Sequence, residues 1–139
     1  MSAVRKTKEQ IDLGFASVYL IKPAIICVTY LTEEVIDTGK GIQILEAITS
    51  LAEGKPFGTI INRAKLYTPN TEMFKFMISQ RSIEKDNIMA RALVTTNMAS
   101  RIEAQNFINF FKPLTPTKLF ETMEDALAWV EPYISEVNK

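Results

Sequence analysis

Apolar residues in this chain come in short β-branched runs that alternate with stripes of helical spacing, and Lys-Pro pairs interrupt the series. Phe15 to Ile21 and Ala24 to Leu31 are rich in β-branched and aromatic residues and are separated by Lys22-Pro23. They read as two strands joined by a tight turn. Phe15, Ser17, Tyr19 and Ile21 would then share one face. Both faces carry apolar groups, as expected of strands covered on two sides. Asp37 or Thr38 caps a helix running to Ala52. Ile42, Leu45, Ile48 and Ala52 recur along it at helical spacing, and Ile44, Ala47 and Leu51 widen the stripe. Gly54 followed by Lys55-Pro56 stops it. Phe57 to Asn62 is a short strand.

The second half repeats the alternation. Thr68-Pro69 has the form of an N-cap with proline at the first helical position, where the missing N–H costs nothing. The apolar side of that helix is Met73, Phe76 and Met77, with Phe74 and Ile78 beside them. Ile88 to Thr95 is a strand. Asn97 caps a helix from Met98 to Phe111, ended by Lys112-Pro113. Lys118 to Phe120 is a short strand. Thr122 caps the last helix, with Asp125 three residues on and Ala126, Leu127, Val130 and Ile134 facing inward. The order β-β-α-β-α-β-α-β-α predicts an α/β fold with a mostly parallel sheet flanked by helices. Residues 1–12 form a loose lead-in and 13–139 a single domain.

Composition excludes several functions. The 139 residues suit one domain with a real core. Sixteen basic and sixteen acidic residues cancel, and the basic cluster Arg5, Lys6 and Lys8 lies at the N-terminal end, so no face suited to nucleic acid is expected. There is no histidine, which removes Ser-His and Cys-His nucleophile pairs and His-ligated metals. Cys27, the single cysteine, sits in an apolar run and reads as a buried, inert thiol. One cysteine allows no internal disulfide, which fits a reducing cytoplasm. The polar N-terminus lacks the apolar segment of a secretory signal. The apolar stretch from Gly14 to Leu31 is broken by Lys22-Pro23 and does not make a membrane span.

Several segments carry a resemblance. Glu53-Gly54-Lys55-Pro56-Phe57 leads into a strand, and Tyr67-Thr68-Pro69-Asn70-Thr71-Glu72 opens a helix. Ala92-Leu93-Val94-Thr95, Ser100-Arg101-Ile102 and Asn106-Phe107-Ile108-Asn109-Phe110-Phe111-Lys112-Pro113 continue the series. Pro116-Thr117-Lys118-Leu119-Phe120 and Glu124-Asp125-Ala126-Leu127-Ala128-Trp129-Val130 close it. From Leu13 to Ile134 the chain resembles a group of small uncharacterised bacterial proteins with a SpoIIAA-like fold, the architecture of STAS domains. The resemblance implies a mostly parallel sheet with helices, built as successive turns of a β/α superhelix, and combined with the missing catalytic equipment it points to a regulatory, non-enzymatic role. In anti-sigma-factor antagonists of this fold, a serine or threonine at the start of the helix after the third strand is phosphorylated. The family motif there is an aspartate directly before the phosphoacceptor. Asn62 through Glu72 holds no Asp-Ser pair and no glycine, which leaves Thr68 and Thr71 as candidate phosphoacceptors.

Each candidate has a plainer alternative. A phosphate on Thr68 or Thr71 would be favoured by the helix dipole and free N–H groups, yet Thr68 also suits an N-cap and Thr71 an ordinary first-turn position. Gly39-Lys40-Gly41 lacks the length and the following Ser/Thr of a phosphate loop and reads as a flexible helix start. The carboxylates Glu33, Glu34, Asp37, Glu84, Asp86, Glu121, Glu124 and Asp125 read as solvated loop and helix-start residues. Arg91 lies in an otherwise apolar strand and is expected at a strand end or edge. Trp129 reads as a core-edge residue. Phe107, Ile108, Phe110 and Phe111 span an arc of roughly 160°, wider than the stripe of about 100° that a helix on a sheet buries. Phe110 or Phe107 is therefore expected to be exposed unless the loop Pro113 to Pro116 covers it. That surface would serve a protein partner or self-association. In the alternative, a small apolar-ligand carrier or sensor, Phe74, Met77, Phe107 and Phe111 line a space between helices and sheet. No cofactor is expected.

Overall fold

The computed structural model describes residues 5–6, 9–32, 36–63 and 87–137. In chain order it forms β1 (Arg5–Lys6), β2 (Gln10–Asp12), β3 (Ala16–Lys22), β4 (Ile25–Tyr30), α1 (Thr38–Ala52), β5 (Phe57–Asn62), β6 (Ile88–Val94), α2 (Met98–Phe111), β7 (Thr117–Phe120) and α3 (Met123–Val137). The strands lie side by side in sequence order. From β1 to β4 neighbours are antiparallel, and from β4 to β7 they are parallel.

The expected mostly parallel sheet is therefore a mixed one. The N-terminal residues are the reason, since β1 and β2 lie within the segment read as a loose lead-in. The turns are short. Gly14, at φ 86, follows Asp12, whose carboxylate accepts from the Gly14 N–H at 2.8 Å. Ala24 takes φ 71 in the turn between β3 and β4. A tight turn can only return the chain antiparallel, whereas parallel neighbours need a crossover. The crossovers α1 and α2 join β4 to β5 and β6 to β7.

The core lies on both sides of the sheet. Side chains alternate along a strand, so β4 sends Ile26 and Val28 to one face and Ile25 and Cys27 to the other. Ile26 and Val28 meet Ile44, Ile48 and Leu51 of α1. Ile25 and Cys27 join Ile60, Ala92 and Val94, together with Ala126, Val130 and Ile134 of α3. The two helices thus cover opposite faces, α1 over β3 and β4 and α3 chiefly over β5, β6 and β7. Tyr19 and Ile21 pack with the α3 side as expected, but Phe15 packs with the α1 side. It precedes β3 and does not follow that strand's alternation.

Local signals fixed the helix ends. Asp37 accepts from the Lys40 N–H at 2.9 Å, Asn97 from Ser100 at 2.9 Å and Thr122 from Asp125 at 3.1 Å. The buried stripe of α1 is Gly41, Ile44, Ala47, Ile48, Leu51 and Ala52, while Ile42 is exposed. In α3, Ala126, Val130 and Ile134 are buried and Leu127 packs beside them. Pro132 lies inside that helix on an exposed position, and Ala128, whose carbonyl loses its helical N–H partner to the proline, is exposed as well.

Candidate functional site

Helix α2 begins at Asn97 and ends at Lys112, whose φ of 52 closes the last turn and whose N–H donates to the Ile108 carbonyl at 2.9 Å. Its inner side consists of buried Ser100 with half-buried Ala104, Phe107 and Ile108. Its outer side is apolar in an unusual proportion. Met98 is 67% exposed, Ile102 56% and Phe110 77%, and Leu114 just beyond the helix is 51% exposed. Among the described residues the other exposed large hydrophobics are Leu31 and Ile42, so the exposure is concentrated on one element.

The outer face also lacks charge. At about 100° per residue, Met98, Ala99, Ile102, Gln105, Asn106, Asn109 and Phe110 fall within an arc of roughly 140°. None of the seven is ionisable. A helix face that only meets water ordinarily carries Lys and Glu. Gln105 donates to Asn109 along the helix at 3.1 Å. Charge appears only at its two margins, at Arg101, which is paired with Glu121, and at exposed Glu103.

The buried ionisable groups lie elsewhere. Cys27 is buried, and burial pushes its thiol up, against hydrogen bonds from Tyr19 and Thr29 that pull it down. Its Sγ lies 3.6 Å from Thr29 Oγ1, which is 3.2 Å from the Tyr19 hydroxyl. A thiol held in its neutral form is a poor nucleophile. At the ends of β4 and β5, the guanidinium of buried Arg63 stands 4.7 Å from the centroid of the Tyr30 ring. Burial pushes the Tyr30 phenol up to about 12 although the Arg63 charge pulls it down.

Residues 19–134 match the family described as Domain of unknown function (DUF7793). The chain belongs to DUF7793. Neither the curated proteins nor the solved structures give a match. The DUF7793 region runs from β3 into α3 and contains the whole of α2.

Within the DUF7793 region the residues singled out by sequence fall apart spatially. Phe110 is exposed as expected, Phe107 is half-buried on the inner side of α2, and the Phe111 side chain is outside the described residues. The loop Pro113 to Pro116 does not cover Phe110. Thr115 in that loop instead donates to the Ile88 carbonyl at 3.1 Å. Thr68, Thr71, Phe74 and Met77, with Glu33, Glu34, Glu84 and Asp86, lie outside the described residues. Gly39-Lys40-Gly41 forms the first turn of α1. Asp37 and Thr122 are caps, and Glu124 and Asp125 occupy the first turn of α3, where the dipole favours them. Arg91 is at neither a strand end nor an edge: it sits between Thr59 of β5 and Thr117 of β7. A long stem can lie on the sheet while its guanidinium reaches outward, which lets a central strand carry it. Trp129 packs beside the α3 core, with ring centroids 5.5 Å from Phe120 and 5.1 Å from Tyr133. Among the described residues no group of three or more His, Cys, Asp or Glu is placed to hold a metal, and no helix is long and apolar enough to cross a membrane.

Sequence reasoning missed Met98 and Ile102. The signal was present, because Met98, Ile102, Asn106 and Phe110 form one row at intervals of four. Attention to the aromatic end of α2 alone hides that row.

Proposed function

We propose that this chain is a non-enzymatic protein-interaction module of STAS type, working in the cytoplasm, and that the outer face of α2 is its docking surface. The observation that carries the reading is the coincidence of exposed apolar side chains with absence of charge on that face. Interface cores are depleted of charged residues and enriched in aromatic residues and Met, and contiguous exposed apolar surface marks interaction sites on soluble domains. The SpoIIAA-like reading is supported by strands running in sequence order, with α1 joining β4 to β5 and α2 joining β6 to β7 in the parallel half of the sheet. In this reading Thr68 or Thr71 would carry the regulatory phosphate.

The test is retention of partners from native lysate by wild-type protein and by Ile102→Glu/Phe110→Glu. Both side chains are exposed, so the variant should keep its circular dichroism spectrum. Loss of the partners retained by the wild type is expected. Equal retention by the variant would sink the assignment of the surface.

A further inference from the structure

The α2 face has a symmetry that points to one occupant. Met98, Ile102, Asn106 and Phe110 lie along a single i±4 row, and Leu114 follows at the same interval beyond the helix end. Around Asn106 the row is balanced. Ile102 and Phe110 stand equally far on either side, Met98 lies further out at the N-terminal end, and Leu114 belongs to the segment beyond the left-handed Lys112 that ends the helix. All four flanking residues are apolar and exposed, and the central one is a neutral amide.

We propose that the outer face of α2 docks onto the same face of a second copy of this chain, antiparallel, about a two-fold axis at Asn106. The inference rests on the reading of α2 as the docking surface and names its partner. An isologous contact must be complementary to itself, because each residue meets the counterpart reflected through the axis. Turning the row end for end puts Ile102 against Phe110 of the other copy and Met98 beside the segment carrying Leu114. Asn106 meets Asn106. Apolar groups face apolar groups where Ile102 and Phe110 meet, and the amide pair can exchange hydrogen bonds at the centre. A face bearing a net charge would repel its own copy, and this arc has none.

One helix per copy gives a small contact, so a dissociation constant on the order of 10–100 µM is expected. Sedimentation velocity over roughly 5 to 500 µM should show the dimer forming within that range. Ile102→Lys alone and Phe110→Glu alone should each weaken it at least about tenfold. The double variant Ile102→Lys/Phe110→Glu should recover most of the loss, because the antiparallel register sets the introduced ammonium of one copy against the introduced carboxylate of the other, twice per dimer. Asn106→Cys should oxidise to a disulfide-linked dimer, with Glu103→Cys on the margin as the slow control. The buried native thiol does not compete. A monomer at all concentrations overturns the inference, as does a dimer indifferent to the single variants or a double variant that recovers nothing. Those failures remain distinct from failure of the broader reading, which is scored on heterologous partners retained by the monomer.

Discussion

At the scale of single residues, the burial of Tyr30 contributes to alkaline behaviour, against the opposing charge of Arg63. The folded phenol sits near 12, above its ordinary value of 10, so the native state holds that proton more tightly than the unfolded chain does. This contribution to stability is complete below pH 10 and is lost as pH climbs towards 12. Cys27 and Tyr19 are raised as well and act with the same sign, the thiol from about pH 9 upward. Urea unfolding between about pH 9 and 12 should therefore show falling stability, and Tyr30→Phe should flatten the upper part of the fall. An identical slope in the variant would remove Tyr30 as its source. Burial of Cys27 was legible in its apolar run. The Tyr30–Arg63 contact was not, because it joins residues from two strands that only the parallel register between β4 and β5 brings together.

Among the elements, the seat of α3 on the sheet depends on Gly58. A Cβ there would stand 2.5 Å from Val130 Cγ1 and 3.3 Å from Ile134 Cδ1, so a methyl group cannot enter without moving the helix. Gly58→Ala is expected to destabilise by about 1–3 kcal/mol. In a Val130→Ala background, where the obstructing methyl groups are gone, the penalty should shrink. Urea midpoints for the four proteins of that cycle settle it, and an undiminished penalty would mean that Val130 is not the obstacle. Helix positions were readable from sequence because caps and stripes are local: Asp37, Asn97 and Thr122 each cap the helix foreseen for them. The short β1 and β2 gave no comparable signal. Gln10-Ile11-Asp12 has a single apolar residue, and its strand conformation comes from pairing with β3. Arg91 misled for a related reason, since charge marks an edge strand only when the side chain is too short to escape.

On the scale of the whole molecule, the most protected part should be the middle of the sheet. β4 and β5 have neighbours on both sides, and Ile25, Ile26, Cys27, Val28, Thr59 and Ile60 are all nearly inaccessible. Native-state hydrogen exchange should be slowest at their amides and much faster in β7, which has one strand partner among the described residues. Equal protection of β7 and β4 would contradict this. The alternation of strands and crossovers was legible as far as the order of elements. The direction of the N-terminal strands and the outward turn of Met98 and Ile102 depended on how the pieces meet.

β4 is greasy on both sides, and this has a consequence for how the sheet finds its phase. A strand with one oily and one wet side is told by solvent which way to face; β4 receives no such instruction, for a shift by one residue would merely exchange one set of aliphatic groups for another. What distinguishes the two settings is the hydroxyl contact between Tyr19 and Thr29 and the left-handed Ala24 in the turn just before the strand. In this molecule a few polar atoms and one turn keep time for a ribbon that oil alone would leave undecided.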